Sequence, residues 1–395
     1  MSDRWRAARA RLAFALAQRV PPNYPGMRLT PKRLANYYLV KYQHRRGHTR
    51  LRGYPLILTV EATNVCNLRC PYCFTGAGER GRSRSMMAMP LFRRIIDEVG
   101  DYVLHMEFYS WGDPLLNKQL PQMIRLANER GISTLVSTNF SFPFDAAKAE
   151  ALVASGLSLM GVSIDGATQA AYEQYRVGGK LDLVLHNIRL MNEAKHRLGA
   201  EFPRLCWSFH AFPWNASEVD AARALAQELG IEFSATKGWV AGPEWHDDGA
   251  FQFPGFTMPQ AERCHYLWEQ VVINNDGAVA PCCNAFYEED DFGSAAAGVR
   301  AVWNNTNFQT ARSFFDQRRG DPDARKLICH DCPYTITWEN FRRHRAAGGA
   351  ASTFHAGYTT NDWFNYFFDR RPERARAADT REAAALPQGE SSTRR

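Results

Sequence analysis

Several things are missing from this 395-residue chain. It has no stretch near the roughly 18 consecutive apolar residues that a membrane span requires, and its start has no apolar signal core followed by a small-residue cleavage site. There is no internal repeat and no basic stripe interleaved with aromatics of the kind that marks a nucleic-acid surface. The net charge is +7, but much of the excess is arginine at the two ends, at Arg4, Arg6, Arg9 and Arg11 and at Arg370, Arg371, Arg374, Arg376, Arg394 and Arg395. These absences predict a cytoplasmic globular protein that neither spans a membrane nor binds nucleic acid. Disulfides are excluded with them, because the cytosol keeps thiols reduced. The nine cysteines therefore point first to metal binding.

What is present suffices for a large core, with 45% hydrophobic and 12% aromatic residues. Residues 4–20 carry Trp5, Leu12, Phe14, Leu16 and Val20 among Ala and Arg, the pattern of an amphipathic helix. It reads as packed on the outside of the domain in preference to a peripheral membrane anchor. A second helix is expected over 31–43. From 56 to about 235, short apolar runs at 56–60, 104–109, 133–137, 159–164, 205–211 and 231–234 alternate with helical patterns at 90–99, 117–130, 145–154, 180–198 and 217–229. Six strands alternating with helices predict parallel β/α units, a barrel or part of one. Gly131, Gly156 and Gly230 stand where glycine ends a helix.

In such a fold the working face lies at the C-terminal ends of the strands. The unusual residues fall there: Cys66-Asn-Leu-Arg-Cys70-Pro-Tyr72-Cys73 after the first strand, Ser110-Trp-Gly112-Asp113-Pro after the second, Asn139 after the third and Asp165-Gly after the fourth. Residues 237–259 read as an irregular connection. Residues 268–273 and 278–282 form a hairpin with Asp276-Gly277 as its turn signal. Helices are expected over 297–303 and 308–319, and disorder from about 375.

Three cysteines in eight polar residues are unlike buried inert thiols. A structural zinc would want a fourth ligand, whereas an iron-sulfur cluster held by three thiolates, one iron left open, fits the count. With the neighbouring Val60-Glu-Ala-Thr-Asn-Val run, the segment resembles the signature of the radical S-adenosylmethionine superfamily. That resemblance implies a [4Fe-4S] cluster on Cys66, Cys70 and Cys73, with the methionine amino and carboxylate groups on the open iron and a 5'-deoxyadenosyl radical formed on reduction. It also implies that Gly112 and Asp113 receive the methionine amino group, although the family more often has Glu where Asp113 stands. Ser163, Asp165 and Arg176 would hold the ribose and the methionine carboxylate, with Asn139 nearby and Tyr72 at the adenine.

A later set comprises Cys264, Cys282, Cys283, Cys329 and Cys332. Adjacent strand residues face opposite ways, so only one of Cys282 and Cys283 joins the other three. Four thiolates could also close a zinc site. The arrangement, with Ala301-Val-Trp303-Asn304, resembles the twitch form of the SPASM auxiliary-cluster domain, which implies a second [4Fe-4S] cluster and favours Cys282. Cys206, between apolar neighbours, reads as core.

The resemblance thus implies an α/β fold, a partial (β/α)6 barrel with a small auxiliary-cluster domain containing a hairpin and helices. The expected divisions are 1–54 (helical extension), 55–236 (barrel), 237–263 (linker), 264–340 (auxiliary domain) and 341–395 (extension). The expected activity is oxidation of a small-molecule alcohol, with the second electron passing to the auxiliary cluster and a flavodoxin or ferredoxin as donor. The alternatives are a maturase of a ribosomally made peptide and a non-enzymatic iron-sulfur sensor or carrier. The 50 or so residues before the first strand are fewer than the peptide-recognition domain that such maturases often carry. His210, at the end of the fifth strand, is the candidate proton acceptor, with Tyr109, Trp111, His265 and Glu269 as alternatives.

Overall fold

The computed structural model describes residues 21–238, 263–315 and 327–349. The helix expected over 4–20, most of the 237–259 connection and the C-terminal tail lie outside these residues. Six strands run in parallel: β1 (Ile57–Val60), β2 (His105–Phe108), β3 (Ser133–Thr138), β4 (Leu159–Ser163), β5 (Arg204–Ala211) and β6 (Glu232–Lys237). Each is followed or flanked by a helix, among them Met89–Val99, Leu120–Glu129, Ala146–Ala154, Leu181–Leu198 and Val219–Glu228. The ends of these strands and helices agree with the sequence pattern to within about three residues, the usual scatter of element boundaries, whereas the helix expected over 308–319 runs Thr306–Ser313.

The hairpin is less separate than the sequence suggested. Its strands, β7 (Gln270–Ile273) and β8 (Ala278–Ala280), are followed by a short β9 (Gly293–Ser294), and β7 lies parallel to β1. One nine-stranded sheet results, in the order β6-β5-β4-β3-β2-β1-β7-β8-β9. The reason lies in β7 itself, since Gln270, Val271, Val272 and Ile273 are all buried. A strand covered on both faces cannot stand at the edge of a separate small domain. Helices at Gln169–Tyr175 and Pro333–Ala346 were not expected from the sequence.

Alternation along the strands divides the two faces of the sheet. Met106 and Phe108 on β2 are buried, and Phe108 packs near Phe92 of the Met89–Val99 helix. Glu107 and Tyr109 consequently point to the barrel interior. At the other end of the strands, the helix Pro31–Arg46 sets the buried guanidinium of Arg33 against the carbonyls of Val103, Gly131, Gly100 and Arg130 at 2.7–3.0 Å. That pins the extension across the N-terminal ends of β2 and β3 and leaves the opposite rim for chemistry.

Candidate active site

The loop after β1 carries the first cysteine set. Cys70 is buried, and Cys66 and Cys73 are half-buried. The loop turns tightly: Cys73 N–H donates to the Cys70 carbonyl at 3.2 Å and Ala77 N–H to the Cys73 carbonyl at 2.7 Å. Gly76 is required here, because a Cβ would stand 2.5 Å from the Cys70 oxygen. Gly112 is required for the same reason, its Cβ position being 2.1 Å from the Thr63 carbonyl, and so the end of β2 lies hard against the end of β1.

Burial pushes all three thiols up, Cys66 to about 12, while Arg176 acts downward on Cys70 and Cys73. Enclosed thiols of this kind ionise only with a strong cation among them, which suits an iron cluster. The donor set therefore fits: three soft sulfurs, one guanidinium and polar side chains at the rim.

Two fully enclosed carboxylates flank this loop and behave oppositely. Asp165, after β4, accepts from Arg176 Nε at 2.6 Å, from His210 N–H at 2.8 Å and from His210 Nδ1 at 3.1 Å. Burial would raise this carboxyl, but Arg176 and His210 outweigh it and hold it at about 2. Asp113 accepts from Thr138 Oγ1 at 2.8 Å, Asn139 N–H at 2.8 Å and Leu115 N–H at 3.1 Å. These donors and the more distant Arg176 lower it, but burial wins and the carboxyl rises to about 6.

The expected cofactor residues therefore converge on one rim. Arg176 Nη1 lies 4.0 Å from Cys70 Sγ, and Asn139 Nδ2 lies 3.7 Å from Cys66 Sγ. Tyr72 stacks on Tyr175 at 6.4 Å, and Tyr175 continues to Phe212 and Trp214. Ser163 ends β4 opposite Ser208. Asp165 and Asp113 differ from the expectation in detail: their oxygens are engaged by protein donors, so Asp165 orients Arg176 and Asp113 ties the ends of β2 and β3. In Asp113 the missing methylene keeps the carboxylate close to its own backbone, where it bonds Leu115 N–H. His210 belongs to the Asp165 cluster instead of standing alone. Glu269 is held by Lys41 and His44 at 2.7–2.8 Å, just before β7 and level with the start of β1, away from the rim.

In the second set, the neighbours that act on the Cys282 thiol are Cys283, Cys329, Cys332 and Cys264. Cys283 lies instead 3.0 Å from the Tyr266 hydroxyl. Among the described residues, no three His, Cys, Asp or Glu side chains converge as a single-ion site requires. Phe74, next to Cys73 in the chain, packs with Phe286, Tyr287 and Trp111 into an aromatic wedge. Beside it a cavity of about 600 Å³ opens between Asn64, Thr75, Arg80, Arg84, Phe286 and Glu288. Sequence reasoning missed Glu107, a half-buried acid on the inner face of β2. The period-2 alternation of His105, Glu107 and Tyr109 was the available signal.

A partial parallel barrel with an open three-thiol loop at its rim and a four-thiol set behind it defines an iron-sulfur enzyme. The radical SAM superfamily profile matches residues 60–201, and that of an iron-sulfur cluster-binding domain, SPASM, matches residues 264–333. The chain belongs to the radical SAM superfamily and carries the SPASM domain. Its cofactors are S-adenosylmethionine, the [4Fe-4S] cluster that binds it and auxiliary iron-sulfur.

Similarity to named proteins is partial. The chain is 27% identical to the Fe-coproporphyrin III synthase of Methanosarcina barkeri over 140 residues, 35% of each chain. It is 26% identical to the PqqA peptide cyclase of Xanthomonas oryzae pv. oryzae over 366 residues, 84% of this chain and 92% of that one. Across the first curated relatives it spans only about a third to a half of their lengths. SuiB of Streptococcus suis, solved with S-adenosylmethionine, shares the fold with a TM-score of 0.55 at 15% identity, covering 79% of this chain and 78% of SuiB. Among the described residues no helix is long and apolar enough to cross a membrane.

Proposed function

We propose that this radical SAM enzyme oxidises its substrate by two electrons. Bound S-adenosylmethionine supplies a radical that takes a hydrogen atom from carbon. Around it, Cys66, Cys70 and Cys73 would hold the cluster, Arg176 oriented by Asp165 would meet the methionine carboxylate, and Tyr72 and Tyr175 would enclose the adenine side. The observation that carries the oxidative reading is the grouping of Cys264, Cys282, Cys329 and Cys332. Four thiolates leave no open position for substrate, so the role left to that centre is electron transfer.

For the substrate we favour a carbon of a ribosomally made peptide. The similarity to a PqqA peptide cyclase runs along most of both chains, and a cavity of about 600 Å³ opens beside the aromatic wedge. A small-molecule alcohol is the second reading, supported by the hydroxyl-lined interior where Ser163, Ser208 and Ser234 stand side by side on β4, β5 and β6. The test is anaerobic incubation of the reconstituted enzyme and reductant with a precursor peptide encoded beside its gene. The expected product lacks two hydrogens and one of them appears in 5'-deoxyadenosine. Unchanged peptide beside an oxidised sugar-like alcohol would favour the second reading, and a product with no net loss of hydrogen would sink the oxidative one.

A further inference from the structure

One polar side chain deep in the barrel is unaccounted for by cofactor binding. Glu107 lies on β2 between β1 and β3, on the inner face. Its Oε2 accepts from Thr59 Oγ1 of β1 and Gln270 Nε2 of β7, both at 2.8 Å. Both Thr59 and Gln270 are buried, and they bond one another at 2.7 Å. Tyr109 stands two residues further toward the rim on the same face.

Tyr24, Tyr109 and Cys283 are the titratable groups on which this carboxylate acts. Burial pushes the Glu107 carboxyl up even against the hydrogen bonds from Thr59 and Gln270. Cys283 carries the chain onward to Tyr266, which feels both Tyr109 and Cys282. Tyr109, just beyond β2 at the rim, and Glu107 thus share the inner face of the barrel, and Tyr266 and Cys283 pair beside the four-cysteine set. His210, the competing acceptor, sits on β5, three strands away from β2 and bonded into the Arg176 cluster.

We propose that Tyr109 and Glu107 form the proton exit of the oxidation, with Tyr109 facing the substrate and Glu107 taking the proton that Tyr109 hands down. This rests on the oxidative reading above. The substrate radical loses one electron and one proton. The proton goes to the ionised Glu107 carboxylate, and the electron goes to the one-electron iron-sulfur acceptor that the auxiliary cysteines would hold. Proton and electron therefore leave on the same side of the barrel, which keeps net charge from building up in an enclosed site.

The proposal is tested without a substrate, by spectroscopic redox titration of the auxiliary cluster at a series of pH values, in protein whose Cys66, Cys70 and Cys73 are replaced by Ala. The midpoint potential should fall as pH rises, become flat in Glu107→Gln and keep its slope in His210→Asn. A slope surviving Glu107→Gln, or no slope in the parent, overturns the proposal. If Glu107→Gln loses iron, Thr59→Val serves instead: removing one donor to the carboxylate should move the bend in the titration to higher pH, and an unmoved bend overturns the proposal. With substrate present, Glu107→Gln should release product in a single turnover at least about tenfold more slowly than the parent, while equal product formation also overturns it. A product with no net oxidation would sink the underlying reading yet leave the pH-dependent potential in place.

Discussion

At the loop after β1, Cys70 lies 4.0 Å from a guanidinium that an enclosed carboxylate holds in place, whereas the neighbours acting on Cys264 and Cys282 are chiefly other cysteines. Both sets sit in surroundings that push thiols up. The first is equipped with a fixed ion pair, Arg176–Asp165, and with polar side chains at the strand ends. A site that must receive a zwitterionic ligand needs that equipment. A site that only passes electrons is better without it, because low polarity reduces the reorganisation that each transfer requires. This difference supports the proposed division, with ligand binding and radical formation at one set and electron handling at the other.

The sharpest way to break that assignment is to delete each set. Replacing Cys66, Cys70 and Cys73 by Ala should abolish reductive cleavage of S-adenosylmethionine and leave about four irons, those of one four-iron cluster. Cys329→Ala should keep cleavage and lose the other four, as read by iron analysis beside a 5'-deoxyadenosine assay. Cleavage that survives the triple change would contradict the assignment.

The charged pair is the next point of attack. Asp165→Ala leaves Arg176 enclosed without its partner and should cost about 3–5 kcal/mol of unfolding free energy, measured by denaturant titration, and should weaken S-adenosylmethionine binding with it.

A smaller effect separates the two carboxylates by pH. The Asp165 carboxyl is held at about 2 against an ordinary 3.8. Its stabilisation is fully present above pH 4 and should be lost as pH falls toward 2, a change of about 2 kcal/mol that is missing in Asp165→Asn. Asp113, raised to about 6, has the opposite sign: it makes stability fall as pH rises from about 4 to 6. Asp113→Asn should remove that fall.

The smallest effect distinguishes neighbouring thiols. Cys282→Ser should lose the auxiliary cluster, whereas Cys283→Ser should keep its iron and change stability by less than about 1 kcal/mol.

Much of this was legible beforehand because chemistry and topology coincide. The three-cysteine loop, Gly112-Asp113, Asn139 and Asp165 each follow a strand, and short apolar runs alternating with helix patterns located those strands. Less legible were the long-range partners. Nothing local in Gln270–Ile273 says that it will lie against β1, because that pairing joins residues more than 200 positions apart and depends on burial of both faces. The commitment of Asp165 to Arg176 and of Asp113 to Thr138 also depends on which strand ends meet. Glu107 was overlooked because a carboxylate in an apolar run reads as an exposed position until the barrel closes over it.

The most direct test of the two-centre account is the metal content of anaerobically reconstituted protein, with iron and zinc measured on the same sample. The account predicts about eight irons per chain, as two four-iron clusters, and no zinc; about four irons with one zinc would contradict it.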